Sequence, residues 1–517
     1  MWLLDTTTSQ LRKFSGTNTP PYAILSHRWG PEEEEVSFQD ISESLSQLQD
    51  QKMKIKGFEK IKKTCELARS PEHSLKYAWV DTCNIDKSNS TELSEAINSM
   101  FRWYLQSAVC FVFLDDLDPE SVSLSECKWF TRGWTLQELI APRRAIFFNK
   151  SWTRLGDKME LGPQIAQITG IQVEVLNGDL PLENVPVAVR MSWTAGRETT
   201  RPEDMAYCLL GLFDVHMAML YGEGDKAFLR LQEEIIKVSI DMSIFAWTAL
   251  PGHPQKYTGL LAQSPAQFRN AQNLTPQQHT LFDVREFSIT NRGIRFNIPA
   301  FWNSEQGYYI LPVFHSQPNK ENFYSQGIYL RKVGRDLYAR ALPDQLASMP
   351  DRGSNATLQI VKTLSVYQSE AIAENVLEIL TPKNLYSPDF GLSKVKRMES
   401  LDTGRRLLFA GHTGAFLGYL KFEPEWADEF ESFVLVCGFD LSRAPVERWR
   451  FHLVRGDHWE TEIRSRFDDR HNFAREFLRG SQTLAIPHLN EKGRQKVIEV
   501  RCANHSPKYG VHIRVTN

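Results

Sequence analysis

The sequence predicts an α/β domain on a mostly parallel sheet, then a helical extension, then a mostly β domain, a sandwich or a barrel. Three observations carry this. In residues 1–185, continuous apolar runs of strand length alternate with amphipathic helical segments, the pattern of parallel strands covered on both faces. Residues 186–250 keep a helical period. From residue 251 onward, short alternating runs recur between Gly, Pro, Asn and Asp, as strands joined by turns do. At 517 residues the chain exceeds one ordinary core, so a division into 1–185, 186–250 and 251–517 also suits its length.

The elements follow in order. YAILS (Tyr22–Ser26) is a short apolar run opening into the polar HRWG, as at the end of a buried strand. KGFEKIKKTCELA sets Ile55, Phe58, Ile61, Cys65 and Ala68 on one helical face, with lysines opposite. YAWVD (Tyr77–Asp81) is a second strand. STELSEAINSMFRWYL places Leu93, Ile97, Met100, Phe101, Tyr104 and Leu105 at helical spacing, with Ser90 or Thr91 suited to cap it. AVCFVFL (Ala108–Leu114) is a third strand, running into Asp115 and Asp116. The helical segment WFTRGWTLQELIAP follows, and AIFFN (Ala145–Asn149) is a fourth strand. In such sheets ligands bind outside the carboxyl ends of the strands, so Ser26 to Trp29, Asp81 to Cys83, and Asp115 with Asp116 are expected to converge there. In the extension, Pro202 suits a first helical turn, and Phe228, Leu231, Ile235 and Val238 form one stripe. In the β region the runs include YYILPVF, GIYLRKV, DLYARAL, NVLEIL and SFVLVCGF.

Composition excludes several classes. With 42% apolar, 11% aromatic and 24% charged residues, the chain has the material for packed cores, which argues against disorder. A net charge of −3 supplies no basic field for nucleic acid or an anionic membrane. The basic-looking stretch Arg443–Arg479 holds nine Arg against seven Asp plus Glu, the balance of a solvated surface. Seven dispersed cysteines without a CxxC pair suit the reduced thiols of a cytoplasmic protein. The N-terminus MWLLDTTTSQL has no sustained apolar stretch for a signal peptide, and no run approaches a membrane span. Asp115 and Asp116 lack a third ligand at diagnostic spacing, so no metal is expected. YGEGDKAF lacks the spacing of a phosphate loop and is expected to be a turn.

Glu138 invites two readings. Four residues separate it from Trp134, so on a helix the two share a face. It is either a solvated acid on a packing helix or a catalytic acid beside a cleft. Ser26, His27 and Arg28 are strand-end caps or ligand contacts; neighbours on an extended chain face opposite ways, which excludes a Ser26–His27 nucleophile pair. The forked donors of Arg28 suit a pyrophosphate. Asp81 suits either loop amides or a ribose hydroxyl, Lys87 either solvent or a phosphate. Cys83 has no evident activating partner, which favours a structural thiol.

PPYAILSHRWG, KYAWVDTCNIDKSNSTELSEAINSMFRWY and WFTRGWTLQELIAPR, in this order over roughly residues 20–150, closely resemble the HET domain of fungal heterokaryon-incompatibility proteins. ETTRPEDMAYCLLGLFDVHMAMLYGEGDKAFLRLQEEIIK resembles the segment that often follows it. Asn84 departs from the family, which commonly has a second cysteine there. The resemblance implies a part in the self-destructive response to fusion of unlike fungal cells. HET domains are in turn similar to TIR domains, flavodoxin-like α/β folds whose enzymatic members hydrolyse NAD. Their W-C-x-x-E-L pattern is matched here by W-T-L-Q-E-L, which aligns Trp134 and Glu138. Ser26 to Trp29 and Asp81 match the ends of the first two strands. The resemblance therefore implies Glu138 as catalytic carboxylate, with Ser26, His27, Arg28, Trp29, Asp81, Cys83, Lys87 and Trp134 around the substrate. It implies NAD or a related nucleotide as substrate without a further cofactor. It also implies activity on self-association, and a protein partner sensed by the C-terminal domain. The rival expectation is a non-catalytic module that oligomerises and recruits death effectors.

Overall fold

The four apolar runs form the parallel centre of a seven-stranded mixed sheet. The computed structural model describes residues 1–42, 56–118, 120, 122–274 and 286–298. Beyond these it describes 300–303, 308–316, 324–333, 337–348, 357–380, 401–402, 407–409, 415–422, 433–440, 449–455, 482–489, 495–505 and 508–516. In chain order the first elements are β1 (Trp2–Asp5), β2 (Leu11–Lys13), β3 (Tyr22–His27), α1 (Phe38–Ser42), α2 (Lys56–Arg69) and β4 (Tyr77–Trp79). They are followed by α3 (Ser90–Gln106), β5 (Val109–Phe113), α4 (Thr135–Ile140), β6 (Ala145–Phe148) and β7 (Arg154–Asp157).

The sheet order is β2-β1-β4-β3-β5-β6-β7. β3 runs parallel to β4 and to β5, and β5 parallel to β6, with Ile24 opposite both Trp79 and Cys110. β1, β2 and β7 add antiparallel edges, which the sequence reading did not include. Every residue of β3, β4, β5 and β6 is buried. On one face Ala23, Leu25, Ala78, Phe111 and Phe113 pack with Ile61, Cys65 and Ala68 of α2. On the other, Trp79 meets Trp103 and Tyr104 of α3 edge-on, with ring centroids 5.7 and 5.9 Å apart, a geometry that complements the ring quadrupoles.

Two local expectations are corrected. Asn89, not Ser90 or Thr91, caps α3: its side chain accepts from the amides of Thr91 and Glu92. Lys60 does not lie on an outer lysine face of α2; it is 7% exposed, because its ammonium reaches a largely covered carboxylate, described below.

The next segment comprises α5 (Gly162–Thr169), α6 (Val173–Asn177), α7 (Val187–Ser192), α8 (Asp204–Tyr207), α9 (Leu210–Phe213) and α10 (Lys226–Val238). Residues 1–251 fall in one compact unit together with 261–289 and 312–327. Glu203 accepts hydrogen bonds from the amides of Gly222 and Gly224, so YGEGDKAF is a turn before α10. Both glycines have positive φ, 104° and 61°.

The second unit, 252–260, 290–311 and 328–517, is β-rich. Among the described residues, strands beyond residue 256 make sheets of nine, six and three strands. Ala415–Phe422, Phe433–Asp440 and Trp449–Arg455 form the antiparallel three-stranded one. Tyr257, Tyr308, Ile310, Tyr329, Ala339 and Ala341 share a core cluster. Except for that last strand, the Arg443–Arg479 stretch lies outside the described residues. Among the described residues no helix is long and apolar enough to cross a membrane.

Candidate functional site

β3 lies between β4 and β5, so the chain's crossovers leave it in opposite directions, and a crevice is expected at the carboxyl ends of β3 and β5. Ser26 and His27 end β3 and, with the two-residue period of a strand, take opposite faces.

On the Ser26 side, its hydroxyl donates to Glu138 Oε2 at 2.5 Å and accepts from the indole N–H of Trp129 at 2.9 Å. Glu138 is 4% exposed, and all six residues of α4 are buried. It is therefore not a solvated acid. Burial, reinforced by the negative charge of Asp81, pushes its carboxyl up to about 8, against the pull of Ser26, Tyr104 and Arg197. The fold thus shifts Glu138 toward its protonated form at neutral pH.

Buried cations hold both ends of α4. Arg197 donates to Arg132 O at 2.8 Å and to Thr135 Oγ1 at 3.0 Å. Lys158 donates to the carbonyls of Leu139, Ile140 and Pro142, groups a helix end leaves unpaired. Before α4, Gly133 lets residues 198 and 199 approach closely: its amide donates to Glu198 O at 2.8 Å, and a Cβ there would stand 2.5 Å from Thr199 Cγ2.

On the His27 side, Nδ1 stands 3.8 Å from Asp81 Oδ1 and Nε2 3.9 Å from Glu35 Oε2, with the side chain 1% exposed. These gaps exceed hydrogen-bond length, and neither ring nitrogen has a direct hydrogen-bond partner. Lys60 donates to Glu35 at 2.6 Å and to Arg28 O at 3.1 Å. Burial opposes ionisation of Glu35, but the facing His27, the Gly30 amide and Lys60 outweigh it and hold its carboxyl at about 2. The indole of Trp29 donates to Asp81 Oδ2 at 2.7 Å, its ring half exposed.

Other expected residues are placed differently. The Arg28 fork is engaged by Asp115, at 3.2 and 2.8 Å. Asp116 accepts from the Lys128 amide, and among the described residues no group of three His, Cys, Asp or Glu is arranged to hold a metal. Cys83 is fully buried in the core, where burial raises its thiol well above the ordinary range. Asn84 accepts from the Val80 amide and donates to Trp2 O, tying the loop after β4 to β1. Trp134 is half-buried and hydrogen-bonds the carboxyl of Asp204, while Glu138 turns to Ser26. A groove of about 690 Å³ runs between α3 and residues 216–221, and none of the expected site residues lines it. Glu35, Lys60, Trp129, Lys158 and Arg197 were not singled out from sequence. For Trp129 the dense aromatic run WFTRGW is a local signal of core packing but not of its polar role; the others carry no local signal.

Residues 22–127 match the family model described as Heterokaryon incompatibility protein (HET), and residues 226–296 match a Domain of unknown function (DUF8212). Over 231 residues the chain is 50% identical to "Vegetative incompatibility protein HET-E-1" of Podospora anserina, covering 42% of this chain and 16% of that protein. The chain thus spans a small part of that relative's length. No solved structure matches significantly.

Proposed function

We propose that this chain, which carries a HET domain, is an incompatibility effector whose N-terminal unit hydrolyses NAD at the nicotinamide–ribose bond when self-associated. The observation that carries this reading is the convergence of Ser26, His27, Asp81 and Glu138, from three distant segments, at the carboxyl ends of β3 and β4 beside the crossover reversal. The order of the four parallel strands, second-first-third-fourth, is that of flavodoxin-like sheets, which supports the TIR-like reading. The name of the Podospora relative supports the incompatibility role.

Hydrolysis would take NAD and water to nicotinamide, ADP-ribose and a proton. Nicotinamide leaves neutral, so no general acid is needed. Positive charge develops on the ribose, which a fixed carboxylate stabilises. Glu138 in its protonated form cannot do this. Approach of the cationic nicotinamide ribosyl group would favour its ionisation, and assembly would have to expose it. No metal enters this scheme. The C-terminal unit would sense a partner or regulate assembly, and the compartment would be the cytoplasm.

A second reading, a non-catalytic module that oligomerises and recruits effectors, is favoured by one observation: Glu138 is 4% exposed and covered by Ser26. Nicotinamide release from concentrated wild type and Glu138→Gln separates the two. The enzymatic reading expects release by wild type alone, rising with pH toward about 8 as Glu138 ionises. Equal release from both removes Glu138 from the mechanism. Absence of release in the assembled state leaves the scaffold.

A further inference from the structure

Beside His27, one aromatic face is covered by the chain's own cation. The Lys87 ammonium lies 3.7 Å from the Trp29 ring centroid, within cation–π range. The ring itself is fixed, because its N–H donates to Asp81 Oδ2 at 2.7 Å, and it is 50% exposed. The neighbouring cations are committed elsewhere: Arg28 to Asp115 and Lys60 to Glu35. Lys87 has no carboxylate within 4.0 Å among the described residues. Its loop is anchored by Asp86, which accepts from the Ser88 amide and from Gln39. Only the side-chain stem of Lys87 must rotate for the ammonium to leave the ring.

We infer that Trp29 is the stacking platform for the base of a nucleotide and that Lys87 is a latch, covering the platform until a ligand brings a phosphate for it to bind. The inference rests on the nucleotide reading above and adds a selection rule to it. A base without phosphate must displace Lys87 and gains nothing in return. A base with phosphate converts the displaced ammonium into a contact, where Lys acts as a point charge. The site would thus select phosphorylated ligands even though the stacking face itself makes no contact with the phosphate.

The test is calorimetric titration of the full chain with adenosine and with adenosine 5′-monophosphate, comparing wild type with Lys87→Ala. Removing the latch should tighten adenosine by about two- to fivefold, the worth of an exposed cation–π contact, while weakening the monophosphate. Lys87→Gln, which keeps the stem and drops the charge, should shift both ligands in the same directions. A ligand-free check uses the Lys87 ε-methylene proton resonance. Ring current from Trp29 should hold it upfield in wild type and release it in Trp29→Leu or on adding the monophosphate. If adenosine binds Lys87→Ala no better than wild type while wild type still binds the monophosphate, the latch is overturned and the nucleotide reading survives. If neither ligand binds either protein, the nucleotide reading falls and the latch with it.

Discussion

Replacing Glu138 by Gln tests whether the acid under Ser26 is held as a neutral group. In the unfolded chain its carboxyl titrates at the ordinary 4.5, whereas in the fold burial raises it to about 8. Between these values the folded chain keeps a proton that the unfolded chain has released. A raised pKa makes the contribution to stability complete below pH 4.5 and loses it as pH rises toward 8. The whole gap is worth about 5 kcal/mol at 1.36 kcal/mol per unit, and about 3–4 kcal/mol of it falls between pH 5 and pH 8. Gln copies the neutral acid's shape, its carbonyl still accepts from Ser26, and it does not titrate. Glu138→Gln should therefore resemble wild type near pH 5 and exceed it at pH 8 by about 3–4 kcal/mol. With about 2–4 °C per kcal/mol for a unit of this size, the midpoints should part by about 7–14 °C. Differential scanning calorimetry across this pH range reads it, following the transition that moves, since the chain's two units need not unfold together. A constant gap between the two proteins from pH 5 to pH 8 would mean Glu138 is ionised in the fold, and the account of a buried neutral acid would be wrong.

Two further outcomes concern the seat of α4. Gly133→Ala should lower the thermal midpoint by the equivalent of about 1–3 kcal/mol, because the new methyl meets Thr199 Cγ2 at 2.5 Å and Cys208 Sγ at 3.2 Å. Thr199→Gly in the same chain should restore much of it, and a double-mutant cycle with no coupling would show that the clash is relieved elsewhere. Lys158→Met removes the donor to three carbonyls at the end of α4 and should cost about 2–3 kcal/mol at pH 7. Burial lowers the Lys158 ammonium from 10.5 to about 8, so wild type should gain stability over the variant as pH rises between those values, read by chemical denaturation. A deficit that shrinks over that range would refute the assignment of a buried lysine.

Much of the N-terminal sheet was legible because its signal is local. Four runs such as YAILS and AVCFVFL are apolar on both faces, which only a doubly covered strand requires, and they became β3, β4, β5 and β6. The edges escaped notice: β2 has the half-exposed sequence LRK and β7 the sequence RLGD, too short and polar to show a period. The lysines of α2 illustrate the limit of helical patterning. Lys60 carries the same charge as Lys62 and Lys63, yet only Lys60 faces Glu35, and nothing in the spacing of KIKK marks it.

By itself, the order of apolar runs determined an α/β unit ahead of a β-rich region, and the strand ends where polar residues would gather, because burial of strand and helix faces depends on periods of two and 3.6 residues. The blocks around Ser26, Asp81 and Glu138 determined the HET resemblance. Tertiary structure alone decided the states of those residues. Whether Glu138 is charged depends on its burial and on Asp81 and Ser26, which stand far from it in sequence but near it once β3 and α4 pack. Charge in a protein is set by desolvation and neighbouring dipoles, and both exist only after the chain has closed around the group.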